Sequence, residues 1–573
     1  MSGLPARSGS SLPPPGLILA QAIWSAVARR LALEWHGSTP HLVALRFPKP
    51  QGIAAKPKPL RPADPEKGRQ ILFGRFRFFG ETLVSGHKGD PWDRPSPSRT
   101  FAEELHGFAW LPDLLATGEE GTREALRLIA DWRRLFGRWN AFSWEGEALE
   151  RRVFHLACAL PVLTGPAADA EAQALLMDLA RQARHLAGSG GGPVRAAERG
   201  AAVALAGTVL SGRAGDGLMR RGLGQLSRAL RVTVLPDGGH AGRAPADALA
   251  LLFDLLVLDD ALSQRGRSAP EEMSRAIDRL FAALKVFALA DGRLAAMQGG
   301  DEGLSTDVRH ALAEDDSDAP ARDRLEVSGY HRLEAGALQV FVDAGAPARG
   351  AWSAAAAAQP MAVEILAAGR RLITNVGWTD RCHATGALRL TDGASTASLG
   401  DASAGEPLRG FRADQLGPRL IGAPVAVQAE RQAAAEGDWL DMSHEGWVAR
   451  FGLIHERRLF LSPDGELRGE DRFTPKAGPP KTKGPRRYVP FTVRFHLYPE
   501  VSASVALDKR SVLLRAGSDV GWWLRNDATD VVVEPSMHFA GGEMRRTQQI
   551  VLRGQVLMSS GGRVRWKLTR AEA

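Results

Sequence analysis

The groups best suited to moving protons in this chain sit in one short phrase. In Leu235-Pro236-Asp237-Gly238-Gly239-His240 an imidazole follows a glycine-rich turn, and Arg243 comes three residues later. Imidazole exchanges protons near neutral pH, and a guanidinium can grip a carboxylate with two parallel hydrogen bonds. In a cleft, His240 and Arg243 would be catalytic candidates and Asp237 a substrate-binding one. The competing reading is a tight Asp237-Gly238-Gly239 turn with His240 capping the next helix. A second pair, His444 and His455, suits two neighbouring strands, and His444 is the third catalytic candidate. A zinc ion needs about three or four ligands at fixed geometry. His383, His496 and Asp441 could complete such a set, but the spacing singles out none of them.

Sugar recognition is the other chemistry on offer. The chain has 14 tryptophans and 3 tyrosines, and Trp110, Trp132, Trp139 and Trp144 fall close together. Indole stacks on the C–H faces of sugar rings, which makes Trp110 and Trp144 substrate-binding candidates. The alternative is core packing, which the i,i+7 spacing of Trp132 and Trp139 also fits. Trp522-Trp523 on a strand would send one ring to each face. Asp237 and Asp247 are the pair to nominate if two carboxylates cut a glycosidic bond. Arg151-Arg152, Arg184-His185 and Glu145 read as solvated helix faces.

The elements that must hold these groups come in two regimes. From about 101 to 290 the apolar period is helical, as in Leu126-Leu128-Trp132-Leu135 and Leu249-Leu251-Leu252-Leu255-Leu256, with breaks such as Gly188 to Gly192. An acidic segment, Glu314-Asp315-Asp316, marks a boundary. Beyond it, short alternating stretches such as Leu338-Val340-Val342 and Thr492-Val493-Phe495-Leu497 predict a large antiparallel sheet domain. We therefore expect a multidomain chain, α then β: a tail, helix and Pro/Lys-rich linker over 1–69, a helical domain over 70–320 with a short strand pair near Phe76 and Phe78-Phe79, and a β-domain over 325–573.

A length of 573 residues with 44% hydrophobic and 24% charged residues is ordinary for a folded two-domain protein. The net charge of +8 suits an acidic partner, yet no dense Lys/Arg tract with interleaved aromatics suggests nucleic acid. No phosphate-cradling glycine motif is present. Cys158 and Cys382 lie too far apart in sequence to suggest a disulfide framework. Leu17, Ile23, Trp24, Val27, Leu31 and Leu33 approximate one helix face. With Gln21 and Ser25 interrupting the run, neither a signal peptide nor a transmembrane segment is predicted, and a cytoplasmic location follows.

Several phrases, in order, resemble the heparinase II/III-like family. They are Phe76-Arg77-Phe78-Phe79-Gly80, Leu105-His106-Gly107-Phe108-Ala109-Trp110-Leu111, the Asp237 to Pro245 stretch, and Asp291-Gly292-Arg293-Leu294. The second half adds Ser328-Gly329-Tyr330-His331-Arg332-Leu333, Val342-Asp343-Ala344-Gly345, Arg371 to Gly377, His444-Glu445-Gly446-Trp447, His455-Glu456-Arg457 and Val493-Arg494-Phe495-His496-Leu497. The resemblance runs from about residue 70 to the end. It implies an N-terminal (α/α) toroid followed by a C-terminal antiparallel β-sandwich, and a location in the cell envelope or periplasm. It also implies a carbon–oxygen lyase that cleaves uronate-containing polysaccharide, glycosaminoglycan or alginate-like, by β-elimination. His455 matches the family's His-x-Arg position, which ligates a metal in some members; a structural zinc is thus possible and no cofactor is required.

Elimination needs a group to neutralise the uronate carboxylate, a base for the C5 proton and an acid for the leaving oxygen. Family lyases usually supply an Asn-His pair and a Tyr from the toroid, with a His from the sandwich. Here the corresponding places read Gly192-Pro193-Val194, Ala246 or Asp247, and Ala394, and the tyrosines (Tyr330, Tyr488, Tyr498) all fall in the second half. Two readings follow. One is a lyase in which Arg243 neutralises the carboxylate and His240 or His444 carries protons. The other is a non-catalytic carbohydrate-binding or envelope polysaccharide-assembly protein on the same fold.

Overall fold

The computed structural model describes residues 15–316, 322–381, 386–476, 487–517 and 521–571. After the N-terminal helix Pro15–His36 and a short helix Thr39–Ala44, the chain forms helix Pro65–Leu72 and a hairpin of Arg75–Phe78 with Glu81–Val84. The helical half then runs from Arg99–His106 to Ser305–Ala313, and its long members are Glu119–Phe136, Gly146–Leu163, Asp169–Gly188, Ala196–Val209, Gly212–Thr233, Pro245–Gln264 and Glu271–Phe287. The period switches where the acidic segment lies, between Ala313 and strand Arg324–Leu325.

Helix Ala196–Val209 is central to the helical half. Twelve of its residues, from Ala197 to Val209, are buried, and they are mostly alanine, glycine, valine and leucine. Small side chains let its neighbour Gly212–Thr233 approach closely. A Cβ on Gly207 would stand 2.1 Å from the Met219 backbone nitrogen, and one on Gly222 would stand 2.3 Å from that of Ala204.

The second half is two antiparallel sheets packed face to face. The inner sheet runs, edge to edge, Asp530–Ala540, Glu543–Leu557, Tyr488–Leu497, Arg370–Thr374, Val363–Ala367, Leu338–Asp343, Tyr330–Ala335, Arg324–Leu325, with Ala397–Leu399 also paired to Tyr488–Leu497. The outer sheet runs Val427–Ala434, Gly437–His444, Leu453–Leu461, Leu467–Pro475, Gly562–Arg570, Trp522–Asn526, Ser511–Ala516, Val501–Val505. Alternating Leu459, Leu461, Leu467, Val564, Trp566 and Leu568 fill the space between the sheets with Val340, Ile365, Val493 and Phe495. Trp522 is buried in that core while Trp523 is half-buried on the outward face, as the pleat requires.

Tyr330, Phe341 and Leu366 of the inner sheet belong to the helical core, so the two halves share apolar packing. The expected toroid followed by a β-sandwich is the architecture observed.

Two N-terminal features differ from the sequence reading. The Pro/Lys-rich stretch is no free linker: the Ala54 amide donates to Val209 O at 2.7 Å, that of Lys56 to Gln264 Oε1 at 2.8 Å and that of Lys58 to Asp260 Oδ2 at 3.0 Å. Its prolines break helix without preventing the remaining amides from strapping onto the toroid. The second feature is Gly16–His36, which by length and composition is long and apolar enough to cross a membrane, although no apolar run of that length was anticipated. Ile18, Ala22 and His36 face inward, whereas Leu17, Ile23, Trp24, Val27, Leu31 and Trp35 face solvent, with Trp24 74% exposed. The helix is held by Ser25 Oγ donating to Gln415 O at 3.1 Å and by a cluster of His36, His41 and His185 whose ring centroids lie 4.6 to 5.2 Å apart.

Candidate functional site

The Asp237 turn forms as predicted, but it faces the sandwich. Gly238 has φ +93°, and a Cβ there would stand 1.8 Å from Arg279 O, so only glycine fits the turn. Asp237 accepts from the Ser328 amide at 2.6 Å and from Ser328 Oγ at 2.8 Å. Arg243 lies within the seam with φ +66°, a conformation disfavoured for a residue with a Cβ. Its guanidinium donates to Ser328 O at 2.8 Å, to Gly345 O and Ala346 O, and to Asp343 Oδ1 at 2.5 Å, over the face of Tyr330. With its donors directed into the sandwich and 6% exposure, Arg243 is a rivet between domains, and Asp237 is its companion; neither presents to a ligand.

His240 is buried beside Arg243, its ring edge-on to Trp352. Its Nδ1 accepts from the Gly242 amide at 3.1 Å and lies 3.8 Å from Asp247 Oδ2. Nε2 meets no hydrogen-bond partner among the described residues. The imidazole does not cap the following helix, whose first residues receive no side-chain bond.

His444 and His455 do face each other across adjacent strands, far from His240 in the fold's order and beneath the outer sheet. They form one buried line. The Gly446 amide donates to His444 Nδ1 at 3.0 Å, so His444 carries its proton on Nε2 and donates to His455 Nδ1 at 3.2 Å. His455 Nε2 then donates to Asp471 Oδ1 at 2.8 Å. Arg457 Nε reaches the same carboxylate at 2.7 Å and Trp566 Nε1 reaches its other oxygen at 3.1 Å. Burial, with Arg457 nearby, keeps both imidazoles neutral by lowering their pKa, while His455 and Arg457 overcome burial to hold the Asp471 carboxyl far below the usual range. Every ring nitrogen is already occupied, which leaves His455 no lone pair for a metal. Among the described residues no group of three or more His, Cys, Asp or Glu is disposed to hold a metal ion. His496 bonds Ser536 and Asp392 O, Asp441 pairs with Arg458, and Cys382 and His383 lie outside the described residues.

The tryptophan candidates are core. Trp110 and Trp144 are 0% and 1% exposed, and their indole N–H groups donate to Leu105 O and Phe136 O. No ring face of either remains for a sugar.

Of the residues that line the space between toroid and sandwich, the sequence singled out Arg151 alone, and as a solvated helix face; Arg151 instead points into this space, and Arg152 and His185 are buried, because the helices pack on that side. Arg381, from the sandwich, reaches Glu104 at 3.2 Å and Glu147 at 2.5 Å. Arg195 joins Glu147 at 3.1 Å to Glu150 at 2.6 Å, and Arg151 joins Glu150 at 3.4 Å to Asp254. Burial would raise the Glu147 carboxyl, but Arg195 and Arg381 outweigh it and hold its pKa at about 2. The Glu104 carboxyl is moved upward by burial. Beside these pairs is a cavity of about 60 Å³ lined by Thr100, Glu103, Glu104, Glu147, Arg151, Asp380 and Arg381, room for a few waters at most. Four carboxylates face two guanidiniums there, an adverse balance for a polyanion.

Residues 318–567 match the heparinase II/III-like C-terminal family model. A relative from Caulobacter vibrioides (strain NA1000 / CB15N), FtsZ-localized protein C, is 50% identical over 576 residues, covering all of both chains. The chain belongs to the heparinase II/III-like family. Within that family the solved heparinase III is similar with a TM-score of 0.70 at 13% identity, covering 98% of this chain and 92% of that one. The heparan sulfate lyase HepC from Pedobacter heparinus aligns with a TM-score of 0.55 at 14% identity, with the same coverages. At such identities the likeness to the lyases is one of fold. The heparinase II/III-like fold is thus shared with lyases, while the full-length relative carries a name that refers to FtsZ.

Proposed function

We propose that the chain is a non-catalytic member of the heparinase II/III-like family: an envelope-assembly protein that works with the FtsZ division apparatus and rests on a membrane surface through helix Pro15–His36. The observation that carries this reading is the paired charge between toroid and sandwich among the described residues. Between toroid and sandwich, Arg381, Arg195 and Arg151 are matched to Glu104, Glu147, Glu150 and Asp254, with further carboxylate in excess. A uronate chain would have to displace these pairs and then meet like charge. The exposed apolar side of the N-terminal helix, flanked by Arg29 and Arg30, supports an interfacial location. The name of the relative supports the FtsZ association. No cofactor is needed for this role.

The test has two arms. The full chain is incubated with a panel of uronate polymers while the ultraviolet absorbance of an unsaturated uronate is followed, and it is co-sedimented with polymerised FtsZ. A flat absorbance trace with co-sedimentation supports the proposal. A rising trace that His240→Ala abolishes would establish the second reading, a β-eliminating lyase. That reading is favoured by one observation, the buried His240 Nε2 without a hydrogen-bond partner among the described residues, on an imidazole whose other nitrogen lies 3.8 Å from Asp247 Oδ2. Failure to sediment with FtsZ sinks the division role irrespective of the absorbance result.

A further inference from the structure

The outward face of the outer sheet carries a charge pattern that neither the cleft nor the N-terminal helix uses. On strand Leu467–Pro475 the residues Arg468, Glu470 and Arg472 point outward, and on Gly562–Arg570 they are Arg563, Arg565, Lys567 and Thr569. Next come Trp523 and Arg525 on Trp522–Asn526, then Leu513 and Arg515 on Ser511–Ala516. The inward partners of these residues, among them Leu467, Val564, Leu568, Leu524 and Leu514, are fully buried in the sandwich core, so the register of this face is fixed.

Seven cations therefore stand on four adjacent strands. Among the described residues they ion-pair with Glu470, which is shared by Arg472, Arg563 and Arg565, and with Glu466, which is shared by Arg468 and Lys567, while Asp527 adds its field at Arg565. Arg525 instead donates to Thr569 Oγ1 at 3.0 Å and lies over the Trp523 ring, and neither it nor Arg515 meets a carboxylate among the described residues. The cations are open to solvent, with side chains between 40% and 60% exposed for Arg468, Arg472, Arg563, Arg565 and Lys567. The other half of the same face is different: a concavity of about 500 Å³ where Glu430, Asp441, Glu456 and Glu470 offset Arg458 and Arg472. The excess positive charge is confined to one side.

We propose that this cationic half of the outer sheet is a docking surface for an acidic, extended polypeptide segment. Outward side chains repeat every two residues along a strand, about 6.8 Å, which is also the repeat of side chains on one face of an extended peptide. Acidic residues on such a segment would fall opposite successive cations, and guanidinium offers each a bidentate partner. A polysaccharide would want an aromatic platform and an enclosing groove, and here Trp523 is covered by Arg525. This surface stands apart from the toroid–sandwich seam, and its docking role is independent of whether the chain is a lyase.

The experiment uses the full chain and a fluorescent oligo-glutamate peptide, with binding read as anisotropy at rising salt. Because Arg515 and Arg525 meet no carboxylate among the described residues, the double variant Arg515→Glu/Arg525→Glu should fold normally, which the unchanged thermal midpoint would check. The peptide should bind at low salt, lose affinity steeply as salt rises, and bind the variant about ten-fold or more weakly, a difference of about 1.4 kcal/mol. Arg29→Glu/Arg30→Glu, on the N-terminal helix, should bind as the parent does. Absence of binding at low salt would overturn the proposal, as would equal affinity for parent and sheet variant. Loss of binding to anionic lipid vesicles or to an anionic glycan in the sheet variant, with no peptide binding by the parent, would overturn it in favour of those partners.

Discussion

Buried histidine sets the acid sensitivity of this protein. Burial lowers the pKa of His106, His185 and His496 to about 3 and that of His155 and His331 to about 4, all from an ordinary 6.5. Between those values and 6.5 the unfolded chain binds more protons than the folded one. Stability should thus be complete above about pH 6.5 and fall as pH drops, by about 1.4 kcal/mol per such group for each pH unit. Urea midpoints at pH 7.5, 6 and 5 would check the slope; a midpoint independent of pH would contradict it. Asp471 makes a separate prediction. Asp471→Asn leaves Arg457 as a buried cation without its carboxylate and should cost about 3 to 5 kcal/mol in a denaturation experiment. At this scale the sequence was half legible. It displayed His444 and His455 as neighbours across strands, but their partner Asp471 and the amide of Gly446 decide that the pair is structural. Trp110 and Trp144 advertise ring type alone, and which way a ring points depends on helices that are distant in sequence. Arg381 was invisible because Glu104 and Glu147 lie more than two hundred residues before it.

Among the elements, the closest packing is between helices Ala196–Val209 and Gly212–Thr233. Gly207→Ala puts a Cβ against backbone that cannot move aside, so we expect destabilisation of about 1 to 3 kcal/mol, in excess of what helix propensity alone would give back. The thermal midpoint measures it. The N-terminal helix yields an opposite kind of prediction. Trp24→Glu/Leu31→Glu alters solvent-facing residues and should leave the midpoint unchanged while reducing sedimentation with lipid vesicles at least about ten-fold. Equal sedimentation of parent and variant would remove the helix from any membrane role. The helical period of Leu17 to Leu33 was readable from spacing. Its orientation was not, since an apolar stripe normally turns inward, and here Ile18 and Ala22 on the opposite side make the contact.

Across the whole molecule, two halves are joined by arginines from both sides. Arg243 crosses from the toroid to Asp343; Arg371 crosses back to Asp291 at 2.9 Å and bonds Leu294 O; Arg332 donates to Lys285 O, Val286 O and Ala288 O. Arg243→Ala would strip four acceptors and leave Asp343 short of its cation, and we expect a loss of about 3 to 5 kcal/mol with both halves melting less cooperatively, as seen by calorimetry. A single sharp transition at the parent temperature would speak against that seam. The order of α before β was legible because the apolar period changes from 3.6 to 2 near residue 320. The seam was not, because its acceptors are largely backbone carbonyls, which no side-chain pattern announces.

The seam has a mechanical consequence. A chain joined by a free linker would slacken when pulled at one end. Here a load taken up by the N-terminal helix passes to the sandwich through Ser25 and Gln415, and one taken up by the toroid passes through Arg243, Arg332 and Arg371. The protein would therefore hold whatever grips its outer sheet at a fixed stand-off from whatever grips its N-terminal helix, behaving as a strut.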